Sequence, residues 1–291
     1  MRQQTLRSKR LYRDKKMGKP AKGNVAQNFT NGDLLGQLTD KKSPALWLGH
    51  YTEHQILHLL EKFGILPALK KKGFANLIID VEPLDPFAQA LRIFNEKADA
   101  DNQLAEFRLR EVAFSSQPLT GNAPLTMLKI EWLMLQNPQA KFSPERPRLP
   151  GQRHPGLGLG KQAVQFLVHL AEAHQLAGVL NFPEFFHNAY LYWEYFRYCD
   201  PRLKGIVLAL RRDLIELSLA ELSWAIYLGC VNDANTGQTY EWQAGALVLP
   251  LDEKLKKHFG SAEYEQSAYR TLAAARFVLH REKFEKVLLD H

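Results

Sequence analysis

The chain predicts an α/β protein with a mixed, largely antiparallel sheet flanked by helices and a helical C-terminal extension. Three observations predict this: four β-favourable stretches separated by short turns, a glycine-rich turn that opens a strongly periodic helix, and a short apolar strand after that helix. Short turns join antiparallel neighbours, while a strand reached through a helix returns parallel to the one before it.

Residues 1–43 are polar, basic and punctuated by glycine, with too few apolar groups to offset the entropy of ordering, so they read as a disordered arm. Residues 1–24 hold nine Lys or Arg against one Asp, a charge of +8, which leaves −1 for the rest of a chain whose net charge is +7. Such an arm suits phosphate contacts with nucleic acid or an acidic surface; a solvated tail without a partner reads equally well. It lacks the apolar core of a secretory signal, and a mitochondrial transit peptide fits less well because serine is scarce and lysine outnumbers arginine. No stretch approaches eighteen apolar residues, so no membrane span is expected. Cys199 and Cys230 alone form neither a disulfide framework nor a four-cysteine zinc site, which fits a reducing cytoplasm.

Residues 44–215 read as the core and 216–291 as an extension packed on it, with no linker forcing a separate domain. Over 52–63, Ile56, Leu57, Leu59, Leu60 and Phe63 form one helix face behind a Thr52 cap. His50, His54 and His58 recur at four-residue steps there; two can reach one ion but three along one helix cannot, so no metal site is expected. Strands are predicted at 76–82 and 88–94 around the Pro-Leu-Asp-Pro turn at 83–86, at 103–114, and at 125–136. Glu131 is the only carboxylate of the last strand and can serve as a base if burial lifts its pKa toward neutrality; otherwise it is a solvent-facing strand residue.

The turn at 152–160 spaces Gly156, Gly158 and Gly160 so that backbone amides can approach a ligand, and the helix behind it begins with unpaired N–H groups. This is a cradle for phosphate. That helix reads as about five turns, with Leu159, Ala163, Phe166, Leu167, Leu170, Ala173 and Ala177 on one face. A Walker A loop fails at Pro155 and Gln162. A dinucleotide fingerprint on Gly158, Gly160 and Ala163 lacks its preceding strand, because 142–150 holds three prolines and three charges.

Arg153, Gly156 and Gly158 fit the R/Q-x-x-G-x-G/A pattern, which resembles the pyrophosphate loop of the GNAT (general N-acetyltransferase) family. The likeness covers about 73–198 and extends through a short strand ending near Asn181 to Asn188, Ala189, Leu191 and Tyr192, similar to the family's N-x-x-A-x-x-L-Y. It departs where asparagine directly precedes Ala189 and where Phe196 and Arg197 stand in place of Gly-Phe. The resemblance implies an acyltransferase moving an acetyl or other acyl group from acyl-coenzyme A to an amine acceptor. It implies a loop of Arg153, His154, Gly156, Leu157, Gly158, Gly160 and Lys161 on the pyrophosphate, and a pantetheine arm paired with the strand backbone at Leu133 and Leu135 and placed by Asn181 and Asn188. Glu131 would be the base, and Tyr192 the acid that protonates the departing thiolate. Arg146 and Arg148, on a connection longer than in most members, either add phosphate contacts or stay solvated.

The stretch at 182–198 is too dense in aromatics for one helix face, so some rings must meet a ligand, a neighbouring segment or a partner. Helices are predicted at 203–214 and 218–231, a turn at 232–237, a strand at 240–251 that closes the sheet, and one or two helices over 261–290. No Gly-x-Ser-x-Gly or cysteine motif supports a nucleophile triad. The alternative to an enzyme is a non-catalytic module of the same fold that binds a protein or nucleic acid through the basic arm and the aromatic helix.

Overall fold

The computed structural model describes residues 46–83, 88–116, 119 and 123–288. The basic arm and most of the Pro-Leu-Asp-Pro turn lie outside them. The described residues belong to one compact unit, Pro44–His291.

Helices α1 (Glu53–Lys62) and α2 (Ile65–Lys71) lead into four strands, β1 (Leu77–Glu82), β2 (Gln89–Asn95), β3 (Gln103–Phe114) and β4 (Leu125–Leu135), each antiparallel to the last. The expected Thr52 cap forms, and Gln55 returns the bond to make it a capping box. After a long connection come α3 (Gly160–Ala173) and β5 (Gly178–Asn181), which lies parallel to β4. Next are α4 (Phe186–Leu191), a 3₁₀ turn (Tyr192–Glu194), β6 (Arg197–Tyr198), α5 (Pro201–Asp213), α6 (Leu219–Tyr227) and β7 (Val231–Asp233). The chain ends in β8 (Leu247–Pro250), α7 (Glu253–Phe259), α8 (Ala262–Ala274), β9 (Phe277–Leu279) and α9 (Arg281–Leu288). The main sheet runs β1-β2-β3-β4-β5-β8-β6, and β7 with β9 forms a separate ribbon. No helix of the described residues is long and apolar enough to cross a membrane.

Alternation along the central strands feeds two cores. Leu128, Val179, Leu247 and Leu249 enter the larger one, with α1, α2 and α3; Met127, Leu180 and Val248 enter the smaller one, with Leu255, Phe259 and Tyr264. Strands covered on both faces read as apolar runs, which is why 178–180 and 247–249 carry no polar residue.

The expected elements shift where local chemistry overrides periodicity. The turn-opened helix stops at Ala173 after about four turns, because His174 and Gln175, the latter at φ 55, leave the helical path. The aromatic stretch is not one helix but a six-residue helix, a 3₁₀ turn and a strand, since its rings pack in several directions. The helix expected to reach 231 ends at Tyr227, with Gly229 at φ 64 behind it, and Val231 enters a strand. The strand expected over 240–251 is confined to Leu247–Pro250, and it sits between β5 and β6 instead of at the sheet edge.

Helices α5 and α8 cross at Gly205, where an added Cβ would lie 2.5 Å from the Ala268 carbonyl oxygen and 2.6 Å from Thr271 Cβ. In an exposed helix, Gly→Ala would stabilise by about 1 kcal/mol. Here Gly205→Ala is expected to destabilise by about 1–2 kcal/mol in urea unfolding, because the backbone contact must open. Unchanged or increased stability would contradict the close crossing.

Candidate functional site

The site begins as an interruption in the sheet. β4 pairs with β5 only at Leu128↔Val179 and Lys129↔Leu180. β5 then ends at Asn181, and Pro183 two residues on cannot donate a ladder bond. Farther along β4, the long connection takes up the same edge: Gln136 bridges Gly156, Leu157 N–H donates to Leu135 O at 3.2 Å, and Asn137 N–H donates to Pro155 O at 2.7 Å. Between these two pairings, no described strand or loop covers the edge of β4.

A β-bulge sets what that edge presents. Leu109 pairs with Ile130 and Arg108 with Trp132, leaving Glu131 as the extra residue. The bulge shifts the alternation by one, so Leu128 and Ile130 before it and Leu133 and Leu135 after it all pack on the larger core. The backbone follows the same parity. Gln136 N–H donates to Leu104 O on the β3 side, so Leu133 and Leu135 direct their amides and carbonyls to the opposite edge; the Leu135 carbonyl is taken there by Leu157 N–H, contrary to the expectation that it receives a ligand, which leaves Leu133 on the open stretch.

The glycine turn stands at the end of this gap. Leu157 and Leu159 are buried and anchor it, while Arg153, Gly156, Gly158, Gly160 and Lys161 are exposed and His154 is half-buried. Gly158 has φ 69, which favours glycine, and a Cβ at Gly158 or Gly160 would meet nothing within 4 Å. Leu159 offers no side-chain cap, and the first helical amide with a bond is Ala163, donating to Leu159 O. The amides of Gly160, Lys161 and Gln162 therefore open on the cradle with the positive end of the helix dipole behind them.

Two further contacts hold the connection in place. A Cβ on Gly151 would lie 2.6 Å from the Phe185 ring, so the connection rests directly on the aromatic segment. Trp224 Nε1 of α6 donates to Arg148 O at 2.8 Å, and Arg148 Nε donates to Gln152 O at 2.9 Å. Arg148 thus braces the loop. Beside it lies a cleft of ≈ 410 Å³ walled by Pro144, Pro147, Arg148 and Trp224.

The other expected site residues are placed less uniformly. Asn181 is buried at the end of β5 opposite Leu247, and Asn188 is half-buried in the first turn of α4. Tyr192 opens the 3₁₀ turn, half-buried against Phe196 with ring centroids 5.8 Å apart; burial pushes its phenol up to about 12. Glu131 departs from expectation. Desolvation acts to raise its pKa, but hydrogen bonds and charge from Lys129, at 2.9 Å, and Arg110 outweigh it and hold the carboxyl below its usual range. The condition for a base near neutrality is not met there, because β3 and β4 place two cations beside it. Among the described residues no hydrogen bond, ion pair or ring contact joins Glu131 to Tyr192.

Sequence reasoning missed the bulge and His187. The bulge had a signal, the slip of apolar residues from 128 and 130 to 133 and 135. His187 had none: it lies 2% exposed beside Phe185, its Nδ1 without a partner among the described residues. No protein-family model matches the chain, and no curated protein matches it.

Burial lowers the His187 pKa to about 4. Between that value and the ordinary 6.5 the unfolded chain binds a proton that the folded one refuses, so stability is full above 6.5 and falls as pH drops toward 4. The loss amounts to at most about 3 kcal/mol. His187→Leu is expected to flatten stability against pH in this window, leaving a smaller slope from His169 and His258, whose values burial also lowers. An unchanged acid limb would show that His187 is not held neutral.

Proposed function

We propose that the gap beside β4 and the glycine turn form an acyl-coenzyme A site of the GNAT type, and that the protein transfers an acyl group to an amine. The observation that carries this reading is the open edge at Leu133, which runs directly into a turn with unpaired amides. Pantetheine carries two amides in an extended chain. Laid in the gap, it pairs with the Leu133 amide and carbonyl as a short surrogate strand, while the pyrophosphate rests on the turn between Arg153 and Lys161.

In the reaction the neutral amine attacks the thioester carbonyl carbon, a C–N bond forms, the C–S bond breaks and the sulfur leaves as thiolate. Tyr192 keeps its proton throughout the physiological range and is the candidate donor to that thiolate. Glu131, held ionised by Lys129 and Arg110, is better suited to fixing the bulge than to taking a proton from the amine. The amine proton then passes to solvent, and solvent returns a proton to the Tyr192 phenolate.

Titration calorimetry tests the binding step. Acetyl-coenzyme A should bind in the micromolar range, and Gly160→Trp, which fills open space without straining the backbone, should weaken it at least about tenfold, as should combined Arg153→Glu and Lys161→Glu. A folded protein without affinity for the thioester or for coenzyme A would overturn the reading. With an acceptor in hand, Tyr192→Phe should lower turnover by roughly 10²-fold and leave coenzyme A affinity unchanged; an equal loss of affinity would make Tyr192 a packing residue.

A further inference from the structure

At the opposite end of α3, about 20 Å from the cradle at 1.5 Å per residue, lies a second group of functional side chains. His174 caps the helix, Glu111 comes from β3, and His50 comes from the turn ahead of α1. Their donor atoms all lie within 4.8 Å of one another. His174 Nδ1 is 2.6 Å from Glu111 Oε1, and the His50 and His174 rings are 4.0 Å apart between centroids. We propose that His50, Glu111 and His174 bind one divalent transition-metal ion of the zinc class, with water completing the coordination.

Two observations separate this group from an ordinary histidine–carboxylate pair. The His174 side chain is only 3% exposed, and its Nε2 has no partner among the described residues. With Nδ1 engaged by the carboxylate, the ring holds a buried Nε2 that nothing answers, and a flip of the ring would set Cδ2 against the carboxylate and lose that bond. An ion at Nε2 answers it directly, with the Glu111 carboxylate fixing the ring from behind through Nδ1; an ion at Nδ1 instead takes His174 and Glu111 together as ligands. The second observation is that the third donor is held in place from elsewhere. Trp47 is fully buried and stacked on Phe166, Tyr51 stacks on His174 at 5.4 Å, and Leu48 N–H donates to Gln89 Oε1. The turn carrying His50 is therefore fixed over His174, and His50 and Glu111 are exposed, so an ion and its water can enter.

Tetrahedral zinc with bonds of about 2.0–2.2 Å places its ligands about 3.3 Å apart, so donors separated by up to 4.8 Å need to close by up to about 1.5 Å, while the His174 Nδ1–Glu111 Oε1 pair at 2.6 Å needs to part by about 0.7 Å. Two imidazoles and a carboxylate suit zinc and its neighbours better than calcium or magnesium. The site would staple the 47–51 turn to β3 and to the end of α3. The histidine repeat along the first helix contributes only His50 to it, and the partner that completes it lies over a hundred residues away in sequence.

The test is titration of Zn²⁺ into chelator-treated full-length protein by calorimetry, with Co²⁺ absorption as a report on geometry. One equivalent should bind, and His50→Ala and Glu111→Gln should each weaken it at least about tenfold while circular dichroism stays unchanged. His54→Ala should have no effect. Absence of Zn²⁺ binding by the folded protein, or binding that survives the His50→Ala, Glu111→Gln double variant, would overturn the proposal. Neither outcome bears on coenzyme A affinity.

Discussion

The sheet is held together at its centre by two residue pairs. β4 and β5 bond only at Leu128↔Val179 and Lys129↔Leu180, and the continuity of seven strands passes through that contact. Four antiparallel strands lie on one side, and β5, β8 and β6 on the other. A junction so short endures because both faces are covered there: Leu128 and Val179 enter one core, Met127 and Leu180 the other. Beyond it no backbone pairing joins the two strands among the described residues. Glu131 bulges, Pro183 cannot pair, and the connection returns to β4 only at Leu135. The resulting gap leaves backbone groups unpaired beside a glycine turn, and unpaired backbone without water or a ligand is costly.

Much of this was legible in the sequence because it rests on local rules. The Thr52 cap placed one helix start, and the strand expected over 103–114 matches β3 at both of its ends. The turn was legible from glycine spacing, and Gly158 does adopt a positive φ. What failed depended on distant partners. The rings of 182–198 are too dense for one helix face, but their sequence does not say where the others go; Gly151, Tyr227 and Trp242 supply separate surfaces for them. The extension beyond 216 was expected to supply a strand that closes the sheet, yet Leu247–Pro250 lies inside it, because an apolar four-residue run does not reveal which strands will flank it.

The chemistry of the site divides in the same way. Loop residues are defined by backbone geometry, and glycine spacing carries that information. Glu131 and Tyr192 depend on their surroundings. A lone glutamate in an apolar strand invites the idea of a raised pKa, but Arg110 across the ladder and Lys129 two residues earlier hold it ionised. Tyr192 follows expectation in keeping its proton, since burial alone raises a phenol. His50 illustrates the limit best: the sequence sets it at four-residue steps with His54 and His58, and the fold brings its ring beside His174.

The central claim is that the open edge of β4 receives an extended ligand backbone, and amide hydrogen exchange at single-residue resolution tests it most directly. The Leu133 amide should exchange quickly in the free protein despite lying mid-strand, and coenzyme A should slow it together with the amides of Gly158, Gly160 and Lys161. If coenzyme A leaves Leu133 unprotected, or if Leu133 is already slow without it, the gap is not a ligand site and the account fails.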